Sequence, residues 1–232
     1  MTRHLVIVLA IGFCFWGNLV TSRAADEGEG GFDEQTNGLI SQAEFEQARS
    51  VFNTQKQRET GLGPVYNAQS CGECHQSPVT GGLSQVLELR VGYYSKKTFS
   101  LPLGGSLIHS RAVHPKIQEQ TPDDTNVQTF RATTSTLGAG YVEAIDDATL
   151  LAIMANQPVE MRGEAVSVPV LEGGNALRVG RFGWKSQHAS LVSFASEAHR
   201  NEIGVTTPLF PAENTSNGSS IAAYDLTSDP ED

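Results

Sequence analysis

Apolar residues recur at helical spacing in three stretches of this chain and alternate only in short runs. Phe45, Ala48, Val51 and Phe52 return every three or four positions, and Ser41 and Glu44 precede them as a capping box, so the spacing predicts a helix over 42–59. Gly61-Leu62-Gly63-Pro64 breaks it. Asp146 is placed to cap a helix over 147–156, stopped by Pro158. Ser190 caps a last helix running to about Ile203, with Leu191, Phe194, Ala195 and Ala198 on one side. Strand signals are weaker. Residues 86–91 read as a short strand, and residues 127–136 are β-branched with little alternation. The runs 166–171 and 176–181 flank Glu172-Gly173-Gly174-Asn175 as a small β-hairpin. Residues 92–122, with Gly104-Gly105 and three prolines, read as loop. The balance predicts a mainly α fold with long loops and one hairpin.

The two ends differ from the middle. A basic head, Met1-Thr2-Arg3-His4, precedes an apolar run over 5–16 and small residues up to Ala24, the pattern of a secretory signal over 1–24. The expectation is an exported chain, periplasmic or otherwise extracytoplasmic, held at the membrane if the signal stays uncleaved. Residues 25–38 are rich in Gly and Glu and read as a mobile leader, residues 39–211 as the folded domain. Residues 212–232 are rich in Ser, Asn and Asp around a solitary apolar cluster at Ile221, and read as a disordered linker or tail. No later run is long and apolar enough to form a stable transmembrane span. The chain has 16 basic and 26 acidic residues, a net charge of −10. That balance argues against a nucleic-acid partner, which selects basic surfaces, and leaves room for a basic redox protein or a small neutral ligand.

Cleavage near Ala24 removes Cys14 and leaves Cys71 and Cys74, both inside Cys71-Gly72-Glu73-Cys74-His75. Cys-x-x-Cys-His is the attachment pattern of a c-type haem. Two thiols about one turn apart can add to the two vinyl groups, and the next residue brings an imidazole to the iron as proximal ligand. Three plainer readings stay open. A Cys71–Cys74 disulfide closes a very small loop and gains little. A thioredoxin-type pair wants a βαβ setting that the pattern does not supply. A zinc site of Cys71, Cys74, His109 and His114 has a wider gap than finger spacing.

With that motif in place, five further strings become informative together: Gly61-Leu62-Gly63-Pro64-Val65-Tyr66-Asn67-Ala68; Gly81-Gly82; Leu137-Gly138-Ala139-Gly140-Tyr141-Val142-Glu143-Ala144-Ile145; Gly180-Arg181-Phe182-Gly183-Trp184-Lys185; and Asn201-Glu202-Ile203-Gly204-Val205-Thr206. In order, from about Phe45 to Asn214, this set closely resembles the N-terminal half of the di-haem oxidoreductase family, often labelled thiol oxidoreductases. More distantly it is similar to bacterial di-haem cytochrome c peroxidases. The resemblance implies a cytochrome-c-like haem domain, one covalently bound c-type haem on this chain, and electron transfer with a small redox protein or a second haem domain. Two departures stand out. Relatives carry a second Cys-x-x-Cys-His that this sequence lacks, and Ile203 stands where they commonly have Met.

The resemblance assigns a role to Glu202, and the chemistry of other side chains suggests theirs. Glu202 matches an acid that in related peroxidases acts as the distal acid–base group; the plain alternative is a solvated helix-end glutamate. Arg181 and Lys185 could neutralise haem propionates while Trp184 packs on the porphyrin edge; the plain alternative is an aromatic corner with surface charges. His109 or His114 is the candidate distal ligand, in a loop able to fold over the haem. His188 reads better as a cap or core residue, His199 as surface, and Met154 as helix packing. Because the haem would take both remaining cysteines, thiol chemistry is not expected.

Overall fold

The computed structural model describes residues 32–232, and residues 34–232 form one compact unit. The signal reading over 1–24, and most of the leader, lie outside the described residues. Five α-helices and eight strands follow each other in that unit, so the expected mainly α, cytochrome-c-like fold is corrected to a mixed one. The helices are α1 (Gln42–Asn53), α2 (Cys71–Cys74), α3 (Ala139–Ala144), α4 (Asp147–Asn156) and α5 (Leu191–Ala198). The strands are β1 (Val65–Tyr66), β2 (Leu87–Ser95), β3 (Thr98–Ser100), β4 (Leu107–Ile108), β5 (Arg111–Ala112), β6 (Val127–Ala132), β7 (Ser167–Val170) and β8 (Ala176–Val179).

The missing β content comes from one strand and its partners. The strand expected at 86–91 runs on to Ser95 and pairs antiparallel with β3, β4 and β6. Its turn to β3 consists of Lys96 and Lys97, both at positive φ (50° and 65°). A two-residue hairpin of that geometry usually announces itself by Asn or Gly, and two lysines give no such signal. The small hairpin, by contrast, forms where its turn residues say. β7 pairs with β8, and Gly174 and Asn175 turn the chain at φ 68° and 63°.

Helix starts follow their caps. Ser41 Oγ accepts from Glu44 N at 3.2 Å, while Ser41 N donates to Glu44 Oε2 at 2.8 Å. Asp146 Oδ1 accepts from Thr149 N at 2.8 Å, and Ser190 Oγ from Ser193 N at 3.2 Å. α1 stops at Asn53, short of the expected 59, because Lys56 N turns to donate to Gln69 O at 2.8 Å. Beyond α5 the chain continues as one π-helical turn, His199–Ile203, ended by Gly204 in the left-handed region at φ 76°.

Residues 61–68 run through the interior between two small apolar clusters. Leu62 packs with Ile203 and Val205, and Tyr66 and Cys71 lie against them. Val65 packs with Ile117 and Ile221, and Ala112, Val113 and Tyr224 close that side. Ile221 is 1% exposed, so the segment 212–232, expected as a linker or tail, meets the domain at that point. A single isoleucine in a polar segment fills a hole made elsewhere in the chain. Among the described residues, no helix is long and apolar enough to cross a membrane.

Candidate functional site

Cys71 and Cys74 stand at the two ends of α2, a single turn, and both are free thiols. Ser70 starts the turn by accepting from Glu73 N at 3.2 Å. Glu73 then locks it from outside: its carboxylate accepts from Gln69 N at 2.8 Å and pairs with Arg111 at 2.6 Å. Arg111 arrives there because β5 pairs with β1, which sets Tyr66 opposite Arg111. His75 follows at the C-cap. Its Nδ1 donates to Gly82 O at 3.2 Å, and the Phe52 ring of α1 lies 6.1 Å from the imidazole. Burial lowers the His75 pKa, against the Gly82 and Thr134 carbonyls, which raise it. Gly82 can approach because it has no side chain: a Cβ there would lie 2.0 Å from Ser77 O.

The second half of the site comes from the far end of the chain. Glu202 O accepts from Asn67 N at 2.8 Å and Ala68 N at 3.0 Å, and Ile203 O accepts from Gly63 N at 3.1 Å. Gly63 and Gly204 cross so closely that a Cβ on Gly63 would lie 2.3 Å from Gly204 O. Two of the resembled strings, 61–68 and 201–206, therefore form one backbone-bonded layer beneath Cys71. Within it Asn67 bridges: its Nδ2 donates to Glu202 Oε2 at 2.7 Å and its Oδ1 accepts from Ser110 N at 2.9 Å.

The Glu202 carboxyl is pushed up to about 8, first by burial and then by the charge of Glu88, against help from Asn67 and Arg90. Arg90 lies between the two acids, 2.5 Å from Glu88 Oε2 and 3.8 Å from Glu202 Oε1. The same surroundings act on the thiols. Burial raises Cys71, and burial with the charges of Glu202, Glu73 and Glu88 raises Cys74 to about 11. Both stay protonated at neutral pH, which disfavours thiolate exchange.

The other candidates fall in different places. His109 is buried; its Nδ1 faces Glu119 Oε2 at 2.8 Å and its Nε2 faces Asn201 O at 2.9 Å, so both ring nitrogens are engaged. His114 is exposed, accepts from Lys116 N at 3.1 Å and stacks on Tyr224. The zinc alternative is not assembled: among the described residues no group of three or more metal-ligating side chains gathers at Cys71 and Cys74. Arg181 is buried, with its guanidinium on Asp147 and the carbonyls of Val142, Glu143 and Ile145. Its charge is committed to the end of α3. Trp184 is 58% exposed and Lys185 is exposed beside it. His188 is buried on Glu197 at 2.7 Å, between Phe194 and Phe210.

Sequence reasoning passed over Asn67, Glu88, Arg90 and Arg111 as site residues. Asn67 lay inside a string already singled out. Glu88 and Arg90 had a signal too, since two charges at i and i+2 put a polar face on an otherwise apolar strand.

The cysteines, the histidine and the apolar neighbourhood fit a c-type haem. Leu83, in the loop after His75, is 53% exposed, and Leu137, which lies against Gly81, is 42% exposed. Large apolar side chains beside a thiol pair and a half-buried imidazole are what a porphyrin would cover. No curated protein and no solved structure matches the chain. A family model does, described as "di-haem oxidoreductase, putative peroxidase", over residues 108–229. The matched stretch lies in the C-terminal part of this chain, displaced from the 45–214 span of the sequence resemblance. It begins after the Cys71–His75 motif and takes in Arg181, Glu202 and the packed tail. Covering just over half of the residues, it places this chain in the di-haem oxidoreductase family.

Proposed function

We propose that this chain carries one c-type haem, bound through Cys71 and Cys74 with His75 as proximal ligand, and serves as an exported electron-transfer module of a peroxidase-like oxidoreductase. The observation that carries the reading is the arrangement at α2. Two free thiols one turn apart are followed by an imidazole whose Nδ1 donates to Gly82 O, the tautomer in which Nε2 carries the lone pair that a metal would take. When bound, the haem supplies a one-electron centre and a site where a peroxide can be activated. The chain's own residues hold it. Phe52 packs beside His75, Glu73 and Arg111 brace the attachment turn, and the 61–68 layer fixes that turn against Ile203. The apolar run at 5–16 supports export, and the acidic balance suits a basic electron partner.

A second reading, an active peroxidase, is favoured by Glu202. A carboxyl at about 8 holds its proton at neutral pH. Asn67 occupies Oε2, which leaves Oε1 as the proton's place. Such a group can give and regain a proton near the end of the site.

Co-expression with a cytochrome c maturation system tests the attachment. The haem is expected to stay with the denatured polypeptide and to resist acid acetone, because thioethers survive both. Cys71→Ala with Cys74→Ala is expected to abolish this. A wild-type chain whose haem is extracted would overturn the reading. Sustained peroxide turnover lost in Glu202→Gln, with haem content intact, would establish the second one.

A further inference from the structure

Four carboxylates from the C-terminal segment converge. Glu213, Asp225, Asp229 and Glu231 bring oxygens within 4.8 Å of one another. Some of these oxygens have clear structural partners. Glu231 Oε2 accepts from Thr206 N at 2.7 Å and from Thr206 Oγ1 at 2.6 Å, Asp229 Oδ1 accepts from Thr206 Oγ1 at 3.0 Å, and Asp225 Oδ1 accepts from Thr227 N at 3.1 Å. Glu213 Oε2 accepts from Asn214 N at 3.2 Å. Two oxygens are the anomaly. Glu213 Oε1 and Glu231 Oε1 are shut off from solvent, and no donor reaches either. A buried carboxylate oxygen without a donor is costly, because the hydration it loses is not replaced.

No cation of the protein offsets that cost. Among the described residues, none of the four acids has a Lys, Arg or His at ion-pair distance. Burial and then the charges of Asp229, Glu231 and Asp225 push Glu213 up to about 8. The segment is nevertheless packed down: Ile221 is buried, and Glu231 lies over Gly61, where a Cβ would meet the Glu231 Cβ at 3.0 Å.

We propose that Glu213, Asp225, Asp229 and Glu231 form a binding site for one divalent cation of the calcium class, with the oxygens that lack donors as ligands. The donor set is all oxygen, which selects a hard cation over a soft one. Coordination selects among the hard ones. Four carboxylates on irregular chain impose no octahedron, which Ca²⁺ tolerates and Mg²⁺, with its near-ideal octahedral demand, does not. Four carboxylates leave room for water in a flexible Ca²⁺ shell. The ion would fasten the tail to Thr206, four residues beyond Glu202 in the same layer, and this holds whether or not the haem reading does.

The test uses the full chain, stripped with EDTA and titrated with CaCl₂ by calorimetry, with Tb³⁺ luminescence as a second probe. One Ca²⁺ per chain is expected at sub-millimolar to millimolar affinity, with a higher melting temperature in Ca²⁺ than in EDTA and at least about tenfold weaker binding of Mg²⁺. Glu213→Gln and Asp225→Asn are the variants, because neither removes a bond to Thr206 and Asn keeps the turn to Thr227. Each is expected to weaken Ca²⁺ at least about tenfold. Glu213→Gln should also melt higher than wild type in EDTA, since an amide spares folding the cost of forcing a proton onto this acid. A wild-type chain that melts alike in Ca²⁺ and EDTA, or unchanged affinity in both variants, would overturn the site.

Discussion

Two regions of this protein use apolar residues in opposite ways. Where residues 61–68 meet 202–206, Leu62, Val65, Ile203 and Val205 are all buried, and main-chain bonds tie the two segments together. Across α3, α4 and the turn after them, Tyr141, Leu151, Ile153, Val159 and Met161 are 42–78% exposed, and neither helix buries a residue. The first region holds its shape through its own contacts. The second is held at a few polar points: Asp147 with Arg178 and Arg181, and Glu143, whose Oε1 accepts from Leu191 N at 2.7 Å. The difference teaches that hydrophobicity alone does not make a core here. The crossing is a core because two glycines let backbones touch, and α4 is apolar with most of its length uncovered.

The largest effect should come from breaking the crossing. Gly63→Ala places a methyl 2.3 Å from Gly204 O, with backbone rather than a flexible side chain in the way. Either the chain fails to fold or denaturant titration shows a loss above about 4 kcal/mol. Next is the anchor of the exposed region. Arg181→Ala leaves Asp147 and three helix-end carbonyls without their buried partner, and about 3–5 kcal/mol should be lost in the same titration. Hydrogen exchange should then rise first in α3 and α4, with the crossing still protected.

A smaller effect separates the regions by pH. Glu202 belongs to the crossing and titrates at about 8 when folded, against an ordinary 4.5. Between those values the folded state holds a proton that the unfolded state has released. Stability therefore falls as pH rises from about 4.5 to 8 and levels beyond it. Glu202→Gln should make that decline shallower in melts across the window, leaving the share of Glu213, which titrates over the same range; an unchanged slope would mean that Glu202 does not contribute. Smallest of all, Ile153→Lys on α4 should change stability by no more than about 0.5 kcal/mol, because its side chain has little packing to lose. A larger loss would show that α4 is packed after all.

Legibility followed the range of the interactions. Ser41, Asp146 and Ser190 announced their helices because a cap acts across three residues. The Gly174-Asn175 turn announced β7 and β8 for the same reason. The sheet around β2 was hidden, since Lys96-Lys97 carries no turn signal and β6 joins from beyond a long loop. The tail was hidden too: the space that Ile221 fills is built by Val65 and Ile117. At the site, Cys71, Cys74 and His75 were readable from spacing alone. The commitment of Arg181 to Asp147 was not, because its partner stands 34 positions away and the neighbouring aromatics suggested another role.

The bond between Asn67 and Glu202 spans 135 residues of chain, and this sets an order of events. The bonds that start α2, Glu73 N to Ser70 and Gln69 N to Glu73, span only three or four residues, so the thiols and His75 can be presented before the distant contacts form. Glu202 can reach its place only after the whole intervening length has emerged and collapsed, because distant pairings must first meet the entropy of closing a long loop. A prosthetic group joined at the start would thus be handled in the open, and the acidic side of its pocket would close over it last.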